Sequence, residues 1–388
     1  MSGEKTPQIS NFTLSEEHTM LQDMARQFFH DDVAVTNLRK LRDESHPEGI
    51  DRQVWQKAVD LGFAGILIPE AYGGTDFGMI GMGLVMQEAG KVLASTPLLS
   101  SSIVCASLIL HAGNEAQKQA ILPGIASGDL LVSLALEETG HHNPLMTHIE
   151  LTPKGTDFEL TGSKTFVLDG HISDKLIVAA RTSGQGGEAQ GLTLCLIDAK
   201  IPGVTISATG MVDSRNASNI DFEKVHISQD DILGEVDQAH LPLEFGLDMG
   251  RIALSAEMLG AIEEVFEQTL EYLKERKQFG VPIGSFQALR HRASHMFSEI
   301  EVCRAVVAYA LSQADKKSNK LSQLASLAKA RLCETSTLVT NEGLQMHGGI
   351  GMTDDIDIGL FMKRARVQVQ TFGDAHYHRA RYAGLSGY

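Results

Sequence analysis

A chain of 388 residues with 33 Lys+Arg against 49 Asp+Glu carries a formal net charge of −16, which argues against a nucleic-acid or anionic-membrane surface, since both require clustered excess cations. Its 43% hydrophobic and 21% charged residues supply apolar material for two or three cores and exclude disorder as the default state. Cys105, Cys195, Cys303 and Cys333 stand far apart, without a C-x-x-C or a nearby histidine pair, so buried reduced thiols are expected rather than disulfides or zinc. The opening MSGEKTPQIS has neither a basic nor an apolar leader region, and no run of about 18 apolar residues occurs. The expectation is a cytoplasmic protein with no nucleic-acid partner and no membrane insertion.

Taken in chain order, residues 1–128 read as an N-terminal α domain. Ser15 is placed to cap a helix carrying Met20, Leu21, Met24, Phe28 and Phe29, and Val54, Trp55, Ala58, Leu61 and Phe63 repeat at helical spacing. Turn chemistry at Ile68-Pro69-Glu70-Ala71-Tyr72-Gly73-Gly74 interrupts the pattern, which resumes through Met79–Leu93 and Ser102–Leu110. Residues 129–236 change texture to short apolar runs, Leu130–Leu136, Phe158–Thr161, Leu176–Arg181, Leu192–Ile197, Val204–Ser207 and Ile220–Ile227. Such runs predict an antiparallel sandwich or barrel. Residues 237–388 return to long apolar stripes, Arg251–Lys277, Ala288–Ala314 and Leu321–Met346, as in an antiparallel helix bundle. The fold class is therefore α+β in the order α, β, α. Neither glycine cluster, Gly78–Gly83 or Gly348–Gly351, completes a dinucleotide fingerprint after a strand, so a Rossmann site is disfavoured.

Three stretches are similar to the acyl-CoA dehydrogenase family of flavoproteins: Ile68-Pro69-Glu70-Ala71-Tyr72-Gly73-Gly74; Glu275-Arg276-Lys277-Gln278-Phe279-Gly280-Val281-Pro282-Ile283 with Phe286-Gln287; and Gln345-Met346-His347-Gly348-Gly349-Ile350-Gly351 followed by Arg364. The family has the same α, β, α order. Taking a proton from Cα of an acyl thioester and a hydride from Cβ calls for a carboxylate base, a flavin acceptor, and donors on the thioester oxygen.

The resemblance distributes those parts unevenly. In the family, an R-x-x-F-G motif, a downstream Gln and a Q-x-x-G-G turn reach the FAD held by the neighbouring subunit, and motif match places these roles on Arg276, Phe279, Gln287, Gln345, Gly348 and Gly349. The ring end is altered. T-E-P-G-x-G-S-D stands here as Glu137-Glu138-Thr139-Gly140-His141-His142-Asn143-Pro144, losing the flavin-binding Thr and the Ser that meets the CoA arm, and K-x-W-I-T stands as Lys164-Thr165-Phe166-Val167-Leu168. Glu138, Phe166 and Leu168 are thereby assigned to the cofactor. A carboxylate beside a reduced, anionic flavin is unfavourable unless one of Glu137 and Glu138 points away.

Both usual base positions lack a carboxylate. The Glu of the Y-E-G-T turn is matched by Phe372 in Thr371-Phe372-Gly373-Asp374, and the alternative Glu before the Arg of the first long C-terminal helix is matched by Gly250. Asp374 is the nearest candidate base, with a helix N-cap as its competing role. Phe372 retains a backbone N–H for a thioester carbonyl, and Arg251 shapes the substrate site with Asp248, unless the two form only an i,i+3 surface pair. His141-His142 and His376/His378 read as solvated or capping residues rather than metal ligands.

The altered positions share one face and the kept ones another. The resemblance therefore implies FAD-dependent α,β-dehydrogenation of an acyl-CoA, with an electron-transfer flavoprotein as acceptor, by a homo- or hetero-tetramer with a related subunit. Alternatives are an impaired subunit lending only the pyrophosphate clamp, a related flavoprotein oxidase, and a non-catalytic acyl-CoA-binding protein.

Overall fold

The computed structural model describes residues 14–388, so the leader-free reading of MSGEKTPQIS lies outside the described residues. Six helices come first: α1 Glu16–Phe28, α2 Ala34–Asp43, α3 Arg52–Asp60, α4 Gly78–Lys91, α5 Ala106–Ala112 and α6 Glu115–Ala126. Ser15 caps α1 by accepting from the His18 N–H at 3.2 Å. Leu98–Cys105, a π-helical stretch buried throughout, leads into α5 and presents Ser100 and Val104 toward the sheet.

The middle of the chain forms β1 Val132–Ala135, β2 Glu150–Lys154, β3 Asp157–Leu168, β4 Lys175–Arg181, β5 Leu192–Asp198, β6 Val204–Gly210, β7 Asn216–Ile227 and β8 Ile232–Leu233. They make one sheet in the order β6-β7-β3-β2-β4-β5-β8, with β1 added on β4. The sheet is antiparallel except where β1 and β2 meet β4 in parallel. Two of these strands lie outside the predicted runs: β2 reads Glu-Leu-Thr-Pro-Lys and buries only Leu151, and β8 is two residues long, so neither offers an apolar run to detect.

Helices α7 His240–Glu275, α8 Gln287–Asp315, α9 Leu321–His347, α10 Ile358–Gln370 and α11 Ala375–Leu385 complete the chain, with a small hairpin of β9 Lys277–Gln278 and β10 Val281–Pro282 after α7. Helix α7 runs through the centre and crosses α4 at backbone contact. A Cβ at Gly260 would stand 1.8 Å from the Gln87 carbonyl oxygen, and one at Gly90 would stand 2.0 Å from that of Glu257. Only glycine permits that approach, and it fixes the height of α7 and hence of Gly250 and Arg251. No helix among the described residues is long and apolar enough to cross a membrane.

Candidate active site

A narrow cleft opens between the sheet and the helices, walled by Val104, Leu134, Leu136, Phe166 and Leu168, with Ser100, Glu137, Thr371 and Phe372 completing its lining. Two bulky residues are held there at positive φ, Phe166 at 53° and Phe372 at 58°. For a residue with a large Cβ substituent this conformation stores strain, and such strain collects at functional sites. Phe166 is turned by a bulge: two residues of β3, Thr165 and Phe166, oppose one of β7, Asn219, between the Lys164↔Ile220 and Val167↔Ser218 pairs.

Phe372 sits on a turn clamped from three helices. Lys329 on α9, fully buried, donates its ammonium protons to the carbonyls of Gln368 and Gly373 at 2.9 Å and of Val369 at 3.3 Å. Arg251 on α7 and His378 on α11 both donate to the Phe372 carbonyl, at 3.3 and 3.0 Å. The Phe372 N–H finds no acceptor among the described residues. Burial pulls the Lys329 amine below its ordinary pKa.

The two positions without a carboxylate interlock. A Cβ at Gly250 would stand 3.1 Å from the Phe372 ring and 2.6 Å from Val104, so the bare backbone of Gly250 is the seat of that ring. A glutamate at 250 and a phenylalanine at 372 cannot both fit without rearrangement. Asp374 turns elsewhere: its carboxylate accepts from the Tyr377 N–H at 2.8 Å as the N-cap of α11, and it does not line the cleft.

Arg251 is no surface residue. It is completely buried and donates to Asp248 at 2.8 Å, to Glu244 at 2.9 Å and to His142 at 3.0 Å. Arg381 completes the cluster with contacts of 2.5 Å to Glu244 and 2.9 Å to Asp248. Burial alone would lower the Arg251 pKa and raise that of Glu244. The carboxylates reverse the first, and Arg251 with Arg381 hold Glu244 down at about 2. A guanidinium can only donate, so the His142 Nε2 facing Arg251 is unprotonated. Its Nδ1–H then donates to Glu137 at 2.5 Å. His142 is thus a buried neutral imidazole, its side chain 3% exposed, with its pKa lowered chiefly by burial. The solvated role expected for it is corrected. Nothing local signals this burial, because Arg251 lies 109 residues away.

Glu138 is also corrected. Expected beside the cofactor, it points away: it pairs with the buried Lys164 at 2.7 Å and accepts from the His148 and Ile149 backbone. Desolvation brings Lys164 down to about 8. Of the two glutamates it is Glu138 that points away and Glu137 that faces the cleft.

The remaining positions lie at the far end of the bundle, all exposed: Arg276, Phe279, Gln287, Gln345, Gly348 and Gly349. Tyr272 stacks on His347 with ring centroids 4.5 Å apart, which sets the end of α7 beside the end of α9. Phe279 and Gly280 form the two-residue turn of the β9–β10 hairpin, at φ 54° and 80°. That turn type needs positive φ at both positions, for which Asn-Gly is the ordinary choice. Here a phenylalanine 93% exposed occupies the first. Arg276 has no carboxylate partner among the described residues, and open space surrounds the would-be Cβ atoms of Gly348 and Gly349. A free guanidinium next to accessible backbone suits a pyrophosphate. No group of three metal-ligating side chains occurs among the described residues.

Three family models cover this architecture in order: the acyl-CoA dehydrogenase N-terminal domain over residues 15–129, the middle domain over 137–225 and the C-terminal domain over 241–383. The chain belongs to the acyl-CoA dehydrogenase family, oxidoreductases that act on CH–CH groups with FAD. It is 29% identical to the probable acyl-CoA dehydrogenase YngJ of Bacillus subtilis, over 92% of this chain and 94% of that one. A solved variant of the Tcur3481–Tcur3483 steroid ACAD matches at 31% identity and TM-score 0.86, covering 96% of this chain and 98% of its own. A chain in the structure described as the electron transferring flavoprotein of Acidaminococcus fermentans matches at 27% identity and TM-score 0.90, covering 97% of this chain and 100% of its own.

FAD suits one end of this chain and not the other. The exposed clamp offers an unpaired cation and glycine backbone. The cleft offers a suitable aromatic wall but sets a carboxylate into it.

Proposed function

We propose that this chain is one subunit of a heteromeric acyl-CoA dehydrogenase, in which a related partner carries the base and the ring pocket and this chain reaches in with Arg276, Phe279, Gln287, Gln345 and the Gly348–Gly349 turn. The observation that carries this reading is the interlock of Phe372 with Gly250, which removes both carboxylate positions at once and fills the vacated room with an aromatic ring. FAD held across such an interface would supply the acceptor for the hydride from Cβ of an acyl-CoA thioester. This chain's own contribution is to neutralise pyrophosphate charge with Arg276 and to present backbone N–H groups at the glycine turn. The paired name of the Tcur3481–Tcur3483 steroid ACAD supports two-chain assembly, and the flavoprotein structure from Acidaminococcus fermentans supports an electron-transfer flavoprotein as acceptor. Asp374 as an independent base is not favoured, because its carboxylate is committed to the helix cap.

The test is to express the chain alone and record its flavin spectrum and turnover. The expected result is substoichiometric FAD and no acyl-CoA oxidation. A stoichiometric flavin peak that bleaches with an acyl-CoA would sink the proposal.

A further inference from the structure

We infer that Glu137 is the residue that sets this chain's own cleft against FAD, so that the chain grips the cofactor only from outside. The inference rests on the heteromer reading and names the side chain that enforces its asymmetry.

Three observations support it. Glu137 stands just beyond β1, after Leu136, and lines the same cleft as Phe166, Leu168 and Phe372. By motif match it stands where relatives carry the Thr that touches the flavin, so the substitution exchanges a neutral hydroxyl for a carboxylate at that place. Its charge is also left over. Arg251 and Arg381 are matched by Glu244 and Asp248, two cations to two carboxylates. Glu137 is a third carboxylate, and among the described residues its side-chain partner is His142, which Arg251 holds neutral, while the buried Lys329 is turned to the carbonyls of Gln368, Val369 and Gly373 and Lys164 pairs with Glu138. The hydrogen bond from His142 aims the carboxylate without cancelling it.

In a largely apolar cleft that negative charge is poorly screened. The pyrimidine edge of an isoalloxazine presents carbonyl oxygens and gains negative charge on reduction. Repulsion from Glu137 therefore opposes the oxidised ring and opposes the reduced ring more. Glu138, one residue on, exerts no such effect, because Lys164 neutralises it outside the cleft.

The experiment compares the full-length wild type with Glu137→Gln, which keeps an acceptor for His142 and removes the charge, and with Glu137→Thr, which restores the neutral hydroxyl. Each is loaded with FAD, gel-filtered, and assayed for bound flavin by absorbance, once oxidised and once after anaerobic reduction with dithionite. The expected result is retention at least about tenfold tighter in both variants, with the larger gain in the reduced state. If the variants stay as empty as the wild type, Glu137 is not the determinant and the inference falls, while the heteromer reading stands. If the wild type alone fills with FAD and turns over, the heteromer reading falls. The inference is then decided by the reduced flavin: faster loss from the wild type than from Glu137→Gln upholds it, and equal loss overturns it. Solvent deuterium exchange at Cα of a bound acyl-CoA that disappears in Glu137→Gln would also overturn it, by making Glu137 a base.

Discussion

At the exposed end of the bundle a cation is left over, and in the cleft a carboxylate is left over. Arg276 is in no ion pair among the described residues and ends α7, whose Tyr272 stacks on His347 just before the open Gly348–Gly349 turn. The cleft, 3% to 14% exposed at His142 and Glu137, spends both of its guanidiniums on Glu244 and Asp248. Both regions contain an aromatic residue forced to positive φ, Phe279 in one and Phe372 in the other. At the clamp the strained ring points into solvent, available to a partner, whereas in the cleft it packs against its own backbone at Gly250. On the heteromer proposal the first region is completed by another chain, while the second has an aromatic ring and a glycine at the two positions where relatives carry the base.

The largest effect is expected from the ion cluster that holds the cleft. Arg251→Met strands Glu244 and Asp248 without their main cation, and removing one partner of a buried cluster destabilises by about 3–5 kcal/mol. Urea denaturation at neutral pH measures it; a loss under about 1 kcal/mol would show that Arg381 carries the charge balance alone. The pH dependence sharpens the assignment. Glu244 has a folded pKa of about 2 against an ordinary 4.5, so its stabilisation is present above pH 4.5 and is lost as pH falls toward 2. His378 acts over a higher window. Burial first, then Arg251 and Lys329, hold it neutral, so stability declines as pH drops below about 6.5, where the unfolded imidazole takes up a proton that the folded one refuses.

A smaller effect tests the interlock. Gly250→Ala drives a Cβ to 2.6 Å from Val104 and 3.1 Å from Phe372, and overpacking of that kind costs about 1–3 kcal/mol. In a Phe372→Ala background the ring is gone and part of the clash with it, so the double-mutant cycle should give a coupling of about 0.5 kcal/mol or more. Additive losses would mean that the two positions lost their carboxylates independently.

How much of this was legible in sequence follows from how local each feature is. The clamp is written in contiguous motifs, Arg276 to Gly280 and Gln345 to Gly349, so the residues could be named without coordinates. The helices of the bundle carry apolar stripes long enough to be read, as in Ile252 to Leu273. The cleft's charge pattern was invisible, because Arg251 meets His142 across 109 residues and Lys329 meets Gly373 across 44. A buried cation looks like a surface one until its partners are known, which is why Arg251 and Asp248 read as a possible surface pair. Glu137 and Glu138 are chemically identical neighbours past the end of β1, and it is the buried Lys164, 26 residues on, that draws Glu138 away and leaves Glu137 on the cleft.

The smallest expected effect separates the two strained rings most cleanly. Phe279→Gly removes a bulky side chain from a turn position at φ 54°, where glycine is unstrained, and the residue is 93% exposed, its ring meeting Phe286 edge-on at 6.1 Å. The isolated chain should therefore be unchanged or gain up to about 1 kcal/mol in thermal or urea unfolding. On the heteromer proposal the assembled protein should move the other way and lose FAD on gel filtration, since there the exposed ring completes the partner's cofactor site. A destabilised isolated chain would mean that Phe279 packs within its own subunit. An assembly that keeps its FAD would mean that the strain has no part in the clamp, and the likeness drawn between the two regions would then end at the cleft.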